Sequence, residues 1–145
     1  MTKSIAEDFI ISNADSWKII RTSWLFGSSK NNFVTKIISS SKETNVVKVT
    51  DKETGIPTFA KDLSYKIIEI FPLCNGIRHI TNIGIATRFE YAQRVLELTT
   101  FKEVLKGNRD LSVIRPMKVI LADYMNYGMR HWKEALEDYL NSSNS

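Results

Sequence analysis

The sequence predicts an α/β fold. Short apolar and β-branched runs alternate with segments of helical periodicity, and the run Lys18-Ile19-Ile20 stops abruptly in Arg21, Thr22, Ser23 and Trp24. A buried strand that ends in polar side chains delivers a site at its carboxyl end in an α/β sheet. At 145 residues, 43% hydrophobic and 25% charged, the chain has the length and composition of one globular domain with a real core.

Taken in order, Ile5, Ala6, Phe9, Ile10 and Ala14 recur at helical spacing and predict a helix over 3–14. A strand follows over 17–23. Asn31 or Asn32 can cap a helix over 32–42 whose apolar face holds Phe33, Val34, Ile37 and Ile38. Val46, Val47 and Val49 form a β-branched strand. Residues 51–58 read as a loop punctuated by Gly55 and Pro57. Ala60, Leu63, Ile67, Ile68 and Phe71 form an amphipathic stripe. Residues 77–81 alternate as a strand, and Thr87-Arg88-Phe89-Glu90 reads as a capping box opening a helix. Gly107-Asn108 marks a turn, residues 111–121 are mixed, and Trp132, Ala135, Leu136 and Tyr139 mark a final helix. No repeat or linker divides the chain, so one unit over 1–140 and a frayed, disordered tail over 141–145 are expected.

The net charge of +4 and pI near 9.2 suit an anionic ligand. Lys and Arg are scattered, which argues against nucleic acid as a partner. The single cysteine, Cys74, cannot form an internal disulfide, so a cytoplasmic setting is expected. No apolar run approaches the ~18 residues of a membrane span, and the start MTKSIAED lacks a secretory apolar region. His79 and His131 stand apart from any Cys or acidic pair at ligand spacing, and His79 reads as a structural histidine. No metal site is expected.

Four blocks appear together. They are Arg21-Thr22-Ser23-Trp24-x-x-Gly27 with Asn31-Asn32-Phe33-Val34, then Gly55-Ile56-Pro57-Thr58 leading into Ala60-Lys61-Asp62-Leu63, then Gly76-Ile77-Arg78-His79-Ile80, and Arg115-Pro116. In this order they resemble the dTDP-4-dehydrorhamnose reductase family, a branch of the extended short-chain dehydrogenases, and the ending Trp132–Leu140 looks like that family's closing helix. The resemblance implies NAD(P)H-dependent reduction of a keto sugar on a nucleotide carrier, dTDP-4-dehydro-rhamnose to dTDP-rhamnose, feeding surface polysaccharide. It also implies the fold in more detail: the carboxyl-terminal half of an extended short-chain dehydrogenase, with the last parallel strands of a Rossmann-like sheet and a small sugar-nucleotide-binding lobe.

The resemblance also implies roles. Lys3, with Glu7 four residues on, matches the lysine of a Tyr-x-x-x-Lys helix, and the tyrosine would fall one position before Met1. In the family, that tyrosine donates a proton to the ketone and the lysine lowers its pKa and holds the nicotinamide ribose. Thr22 and Ser23 would line the nicotinamide end of a cofactor site. Trp24 would pack on the substrate, Asn32 and Phe33 would hold the base and its surroundings, and Arg115 would meet the diphosphate through its guanidinium fork. Glu53 and Thr58 would sit in a loop closing over the nucleotide.

None of the six glycines forms a Gly-x-Gly or Gly-x-x-Gly pair, the phosphate turn that a dinucleotide needs. NADP or NAD is therefore expected only when a separate amino-terminal half completes the site, and the chain alone is expected to be inactive. Such a truncated or split enzyme would expose an apolar edge and helix residues such as Ile5 and Phe9, favouring marginal stability, a homo-oligomer or a partner half. The alternative is a non-catalytic regulatory or sugar-nucleotide-binding module, similar to the methionine adenosyltransferase regulatory subunit. Several positions depart from the family pattern: Lys52-Glu53 stands for Asp-Gln, Thr87-Arg88 for Ser-Trp, Val119 for Ser, and Ala122 with Asp123 for an Asp one position earlier. Some relatives bind Mg²⁺ through acidic residues near the Pro-Thr loop, and Lys61 stands at one plausible ligand position, which argues against a metal.

Overall fold

A computed structural model describes residues 2–29, 31–72, 75–100, 102–107, 117–121 and 127–143. Helix α1 (Thr2–Asn13) leads into strand β1 (Lys18–Arg21) and the short β2 (Leu25–Phe26). Helix α2 (Phe33–Glu43) and strand β3 (Val46–Val49) follow. The stretch read as a loop over 51–58 carries two short strands, β4 (Thr54–Gly55) and β5 (Thr58–Phe59). Helix α3 (Ala60–Ile70), strand β6 (Gly76–His79), strand β7 (Ala86–Thr87) and helix α4 (Arg88–Glu97) come next. Strands β8 (Glu103–Lys106) and β9 (Lys118–Val119) precede the closing helix α5 (Trp132–Ser143). That helix runs three residues into the expected tail, and Ser142 Oγ donates to the Asp138 carbonyl at 2.7 Å.

The pairing is mainly parallel, as an α/β chain requires. β1 pairs with β6 from Lys18↔Gly76 to Arg21↔His79, β2 with β5, and β3 with β8. β4 joins β7 antiparallel and β9 parallel. β8 carries no apolar alternation and is largely exposed, which is why its sequence does not announce a strand; backbone pairing to the valines of β3 makes it one.

The main core gathers Phe26, Val34, Phe59, Tyr91, Trp132 and Leu136 with their neighbours. A smaller core holds Leu63, Ile70, Ile80 and Met129. The helix α3 stripe differs from the expected one. Leu63 and Ile70 are buried and Ile67 packs beside them, whereas Ile68 and Phe71 are 71% and 66% exposed. Positions 63, 67 and 70 share one narrow face, and 68 and 71 lie one step around the helix. Ile5 and Phe9 of α1 are likewise exposed, at 62% and 67%. The expected exposure of that helix is therefore present in the fold. No helix among the described residues is long and apolar enough to cross a membrane.

Of the two candidates for the first cap, Asn32 takes the place, and Thr87 caps α4 as expected. The Thr87 hydroxyl accepts from Glu90 N at 3.1 Å, and the Glu90 carboxylate accepts from Thr87 N at 2.7 Å. These bonds hold the Glu90 carboxyl below its ordinary pKa. The ionised form thus stabilises the fold above the ordinary glutamate value of 4.5, and that contribution is lost as pH falls through the lower folded-state value. We expect Glu90→Ala to cost about 1 kcal/mol at pH 7. Thermal melts of both proteins at pH 7 and pH 3 check this, with the gap shrinking in acid.

Candidate functional site

Strand β1 ends at Arg21, and the chain turns through Thr22, Ser23 and Trp24 before joining β2. Trp24 makes that turn with φ 41°, the single non-glycine positive φ among the described residues. Such a backbone costs of order 1 kcal/mol and needs surrounding contacts to hold it. The Gly55–Thr58 loop supplies them. Ser23 Oγ donates to the Ile56 carbonyl at 2.8 Å, and Thr58 N donates to the Trp24 carbonyl at 3.1 Å. The two sequence blocks that carry the resemblance are thus packed on each other.

The Trp24 indole is covered on both faces. A Cβ built on Gly55 would stand 2.5 Å from Cε2, 2.8 Å from Nε1 and 2.9 Å from Cδ2, the distances of a point directly above Cε2. Its three nearest atoms all belong to Trp24, so the Arg88 guanidinium, 3.6 Å over the ring centroid, stands on the other face. Arg88 also lies 4.7 Å from the Phe33 ring, and its Nε meets Glu53 Oε2 at 3.5 Å. The Arg88 backbone N–H donates to the Glu53 carbonyl at 3.0 Å. A guanidinium stacked this way on aromatic rings is worth about 0.5–2 kcal/mol. Tyr91 backs the group, stacked on Phe33 at 5.1 Å and offset from Trp24 at 6.4 Å. Its hydroxyl is buried without a hydrogen-bond partner among the described residues, and burial pushes its pKa well up.

Three of the residues singled out from sequence, Trp24, Phe33 and Glu53, therefore meet in one wall. Their meeting point is Arg88, which the sequence marked as a departure from the family pattern and assigned no role. Its signal was available: an arginine standing where an aromatic is usual, at the first position of a capped helix.

The other candidates fall elsewhere. Asn32 is the cap of α2. Its Oδ1 accepts from Thr35 N at 3.1 Å, and its Nδ2 donates to the Gly27 and Ser29 carbonyls at 2.8 and 2.7 Å. Its amide is thereby engaged by the backbone it folds. Thr58 is fully buried and its hydroxyl lies 3.4 Å from the Ile56 carbonyl, so it anchors the inside of the loop and faces no ligand surface. Arg115, Pro116, Cys74, Ala122 and Asp123 lie outside the described residues. Lys3 is exposed in the first turn of α1. One turn on, Glu7 bonds Arg21 at 3.1 and 2.5 Å, which ties α1 to the end of β1 and lowers the Glu7 pKa. Arg21 Nη1 also stands 3.4 Å from His79 Nε2, so His79 sits in a polar cluster at the carboxyl ends of the paired strands.

For a nicotinamide cofactor the fit is partial. Thr22 Oγ1 is buried at the strand end with no partner among the described residues, as a hydroxyl awaiting a ligand amide would be. Ser23 is already committed to Ile56. We expect Thr22→Val to raise the stability of this chain by about 1 kcal/mol, because it removes an unsatisfied buried hydroxyl. A thermal melt checks it, and a fall in melting temperature counts against the orphan assignment.

The RmlD substrate binding domain family model matches residues 1–145. The spore coat polysaccharide biosynthesis protein SpsK of Bacillus subtilis (strain 168) is 30% identical over 152 aligned positions, covering 99% of this chain and 54% of its own. Two solved dTDP-4-dehydrorhamnose reductases superpose closely. The one from Clostridium acetobutylicum ATCC 824 gives a TM-score of 0.92 at 28% identity, covering 99% of this chain and 55% of that one. The one from Bacillus anthracis str. Ames, solved with NADP, gives 0.89 at 28% identity, covering 97% and 53%. The chain spans about half the length of these relatives. Sequence blocks, fold and family match agree, and the chain belongs to the RmlD substrate binding domain family, with the α/β fold of the extended short-chain dehydrogenases.

Proposed function

We propose that this chain is the sugar-nucleotide-binding half of a dTDP-4-dehydrorhamnose reductase. The observation that carries the reading is the wall of Trp24, Phe33, Glu53 and Arg88, set at the carboxyl end of β1 and locked to the Gly55–Thr58 loop. An aromatic and cationic surface suits a nucleotide diphosphate joined to a sugar. The relatives' names, dTDP-4-dehydrorhamnose reductase and spore coat polysaccharide biosynthesis protein, support the substrate class we assign: a keto sugar carried on dTDP, reduced to dTDP-rhamnose for surface polysaccharide.

NADP or NAD in its reduced form, when bound, would supply the hydride in such a reaction. This chain contributes Thr22 toward the nicotinamide end and Lys3 toward the ribose and the proton donor, with Glu7–Arg21 fixing the helix that carries Lys3. The Gly-rich turn and the tyrosine have no counterpart in these 145 residues. Turnover therefore requires a segment that brings them, and the exposed Ile5 and Phe9 give it a face to pack on. The chain alone is inactive, and a cytoplasmic location follows from the nucleotide substrate.

Two measurements test this. Calorimetric titration of the chain with dTDP should give saturable binding. Mixing it with a separately produced amino-terminal half of a reductase should yield NADPH oxidation on dTDP-4-dehydrorhamnose, with none from either part alone. Absence of dTDP binding removes the sugar-nucleotide reading. Binding without turnover in any mixture removes the split-enzyme reading and leaves a binding module.

A further inference from the structure

We propose that Arg88 is the specificity-determining residue of this wall: it replaces base stacking on Trp24 by recognition of the ligand's diphosphate. The inference rests on the reading of this lobe as a sugar-nucleotide site. The indole of Trp24 has two faces, and both are taken, one by the backbone at Gly55 and the other by the Arg88 guanidinium 3.6 Å above the ring. A planar base can stack on neither while Arg88 stays in place. Phe33 also takes part in the packing, with Arg88 4.7 Å from its ring centroid and the Tyr91 ring stacked at 5.1 Å. The aromatic residues that look like a stacking platform in sequence are thus a seat for the arginine.

Arg88 is held on that seat from two more directions. Its N–H donates to the Glu53 carbonyl, and its side chain pairs with the Glu53 carboxylate. The antiparallel pair Thr54↔Thr87 stitches the same two segments together. Strand pairing, an ion pair and two rings therefore fix one cation, whose side chain keeps 18% of its surface open. A guanidinium keeps its charge at every physiological pH and matches phosphate oxygens in a planar fork. A fixed cation at this wall favours ligands by their phosphates, and the base contributes little here. With Trp at this position in place of Arg, the same wall would keep the Glu53 carboxylate and lose its donor to phosphate.

The test compares dTDP with thymidine, which has the same base and sugar and no phosphate. Both are titrated into the full chain and into R88M and R88K, with near-ultraviolet circular dichroism and melting curves verifying that each variant is folded. The wild-type chain is expected to bind dTDP at least tenfold more tightly than thymidine. R88M is expected to lose roughly tenfold in dTDP affinity, the scale of one charge-assisted contact, with thymidine unchanged within about twofold. R88K, which restores the charge, is expected to regain at least part of that loss. An R88M affinity for dTDP within about twofold of wild type overturns the proposal, as does an equal loss for dTDP and thymidine, or a folded R88K no better than R88M. Absence of dTDP binding by the wild-type chain is a separate result, which overturns the nucleotide-site reading itself.

Discussion

Replacing Asn82 by alanine is expected to cost about 3 kcal/mol and to lower the melting temperature by about 10 °C. Asn82 is 1% exposed, and both ends of its amide are bonded inside the protein. Its Oδ1 accepts from Phe59 N at 2.8 Å, and its Nδ2 donates to Asp62 Oδ2 at 3.0 Å and to the Arg130 carbonyl at 3.1 Å. One side chain thus joins the start of α3, the segment after β6 and the approach to α5. Around it, Ile83 N donates to the Arg130 carbonyl and Trp132 N donates to the Ile83 carbonyl. Arg130 grips Asp62 through two bonds of 2.8 Å and Asp138 through a third. Alanine leaves the buried Phe59 N–H without an acceptor, a penalty beyond the bonds lost. The exposed Asn13→Ala, which removes one local bond to the Phe9 carbonyl, is the control and should change little. A melting temperature for Asn82→Ala within about 2 °C of wild type would refute the hub.

The Gly55→Ala substitution is expected to cost about 2 kcal/mol and to displace Trp24. Gly55 is not among the glycines with positive φ, so its backbone accepts alanine and the cost arises from contact alone. The added methyl would stand 2.5 Å from Trp24 Cε2. The indole cannot retreat, because Arg88 lies against its far face. Either the ring pushes Arg88 off Glu53 or the Gly55–Thr58 loop gives way. Combining Gly55→Ala with Trp24→Leu provides the discriminating measurement. If the methyl acts through the indole, the double variant is more stable than the sum of the two single effects predicts, by about 1 kcal/mol or more. Additive effects would place the cost elsewhere in the loop.

Both predictions bear on what could be read in the chain before its structure. The local features were legible. A cap at Asn31 or Asn32 and one at Thr87 are expected from sequence; Asn32 and Thr87 take those places with reciprocal side-chain bonds. The runs at 18–20, 46–49 and 77–79 form strands, and the first and last pair in parallel. The caps and the strand runs follow from residues within about one helical turn or a few strand positions of one another; the pairing joins residues 58 positions apart. The two blocks at 21–27 and 55–58 were also legible together, because their order and spacing carry the family resemblance.

The less legible features depend on what lies across the fold. Helix α3 and its carboxyl cap offer more apolar positions than the core takes, and the sequence cannot say that Leu63, Ile67 and Ile70 will be covered; Ile80 and Met129 arrive at one side and decide it. Strand β8 exists because β3 needs a partner. Asn32 was read as a hand for the base and turns out to grip its own backbone. A side-chain amide carries no mark of which groups it will meet.

The sequence by itself determined the main helices and the strands at 18–21, 46–49 and 76–79, a capped start for α2 and α4, and the family. Only the tertiary structure decided that Arg88 would occupy the face of Trp24, and that Asn82 would bind segments 23 and 48 residues away. Periodicity and capping act over a few bonds of chain, so they are written where they act. Stacking and buried hydrogen bonds depend on which surfaces the packed strands and helices bring face to face, and that is settled only when the chain has closed on itself.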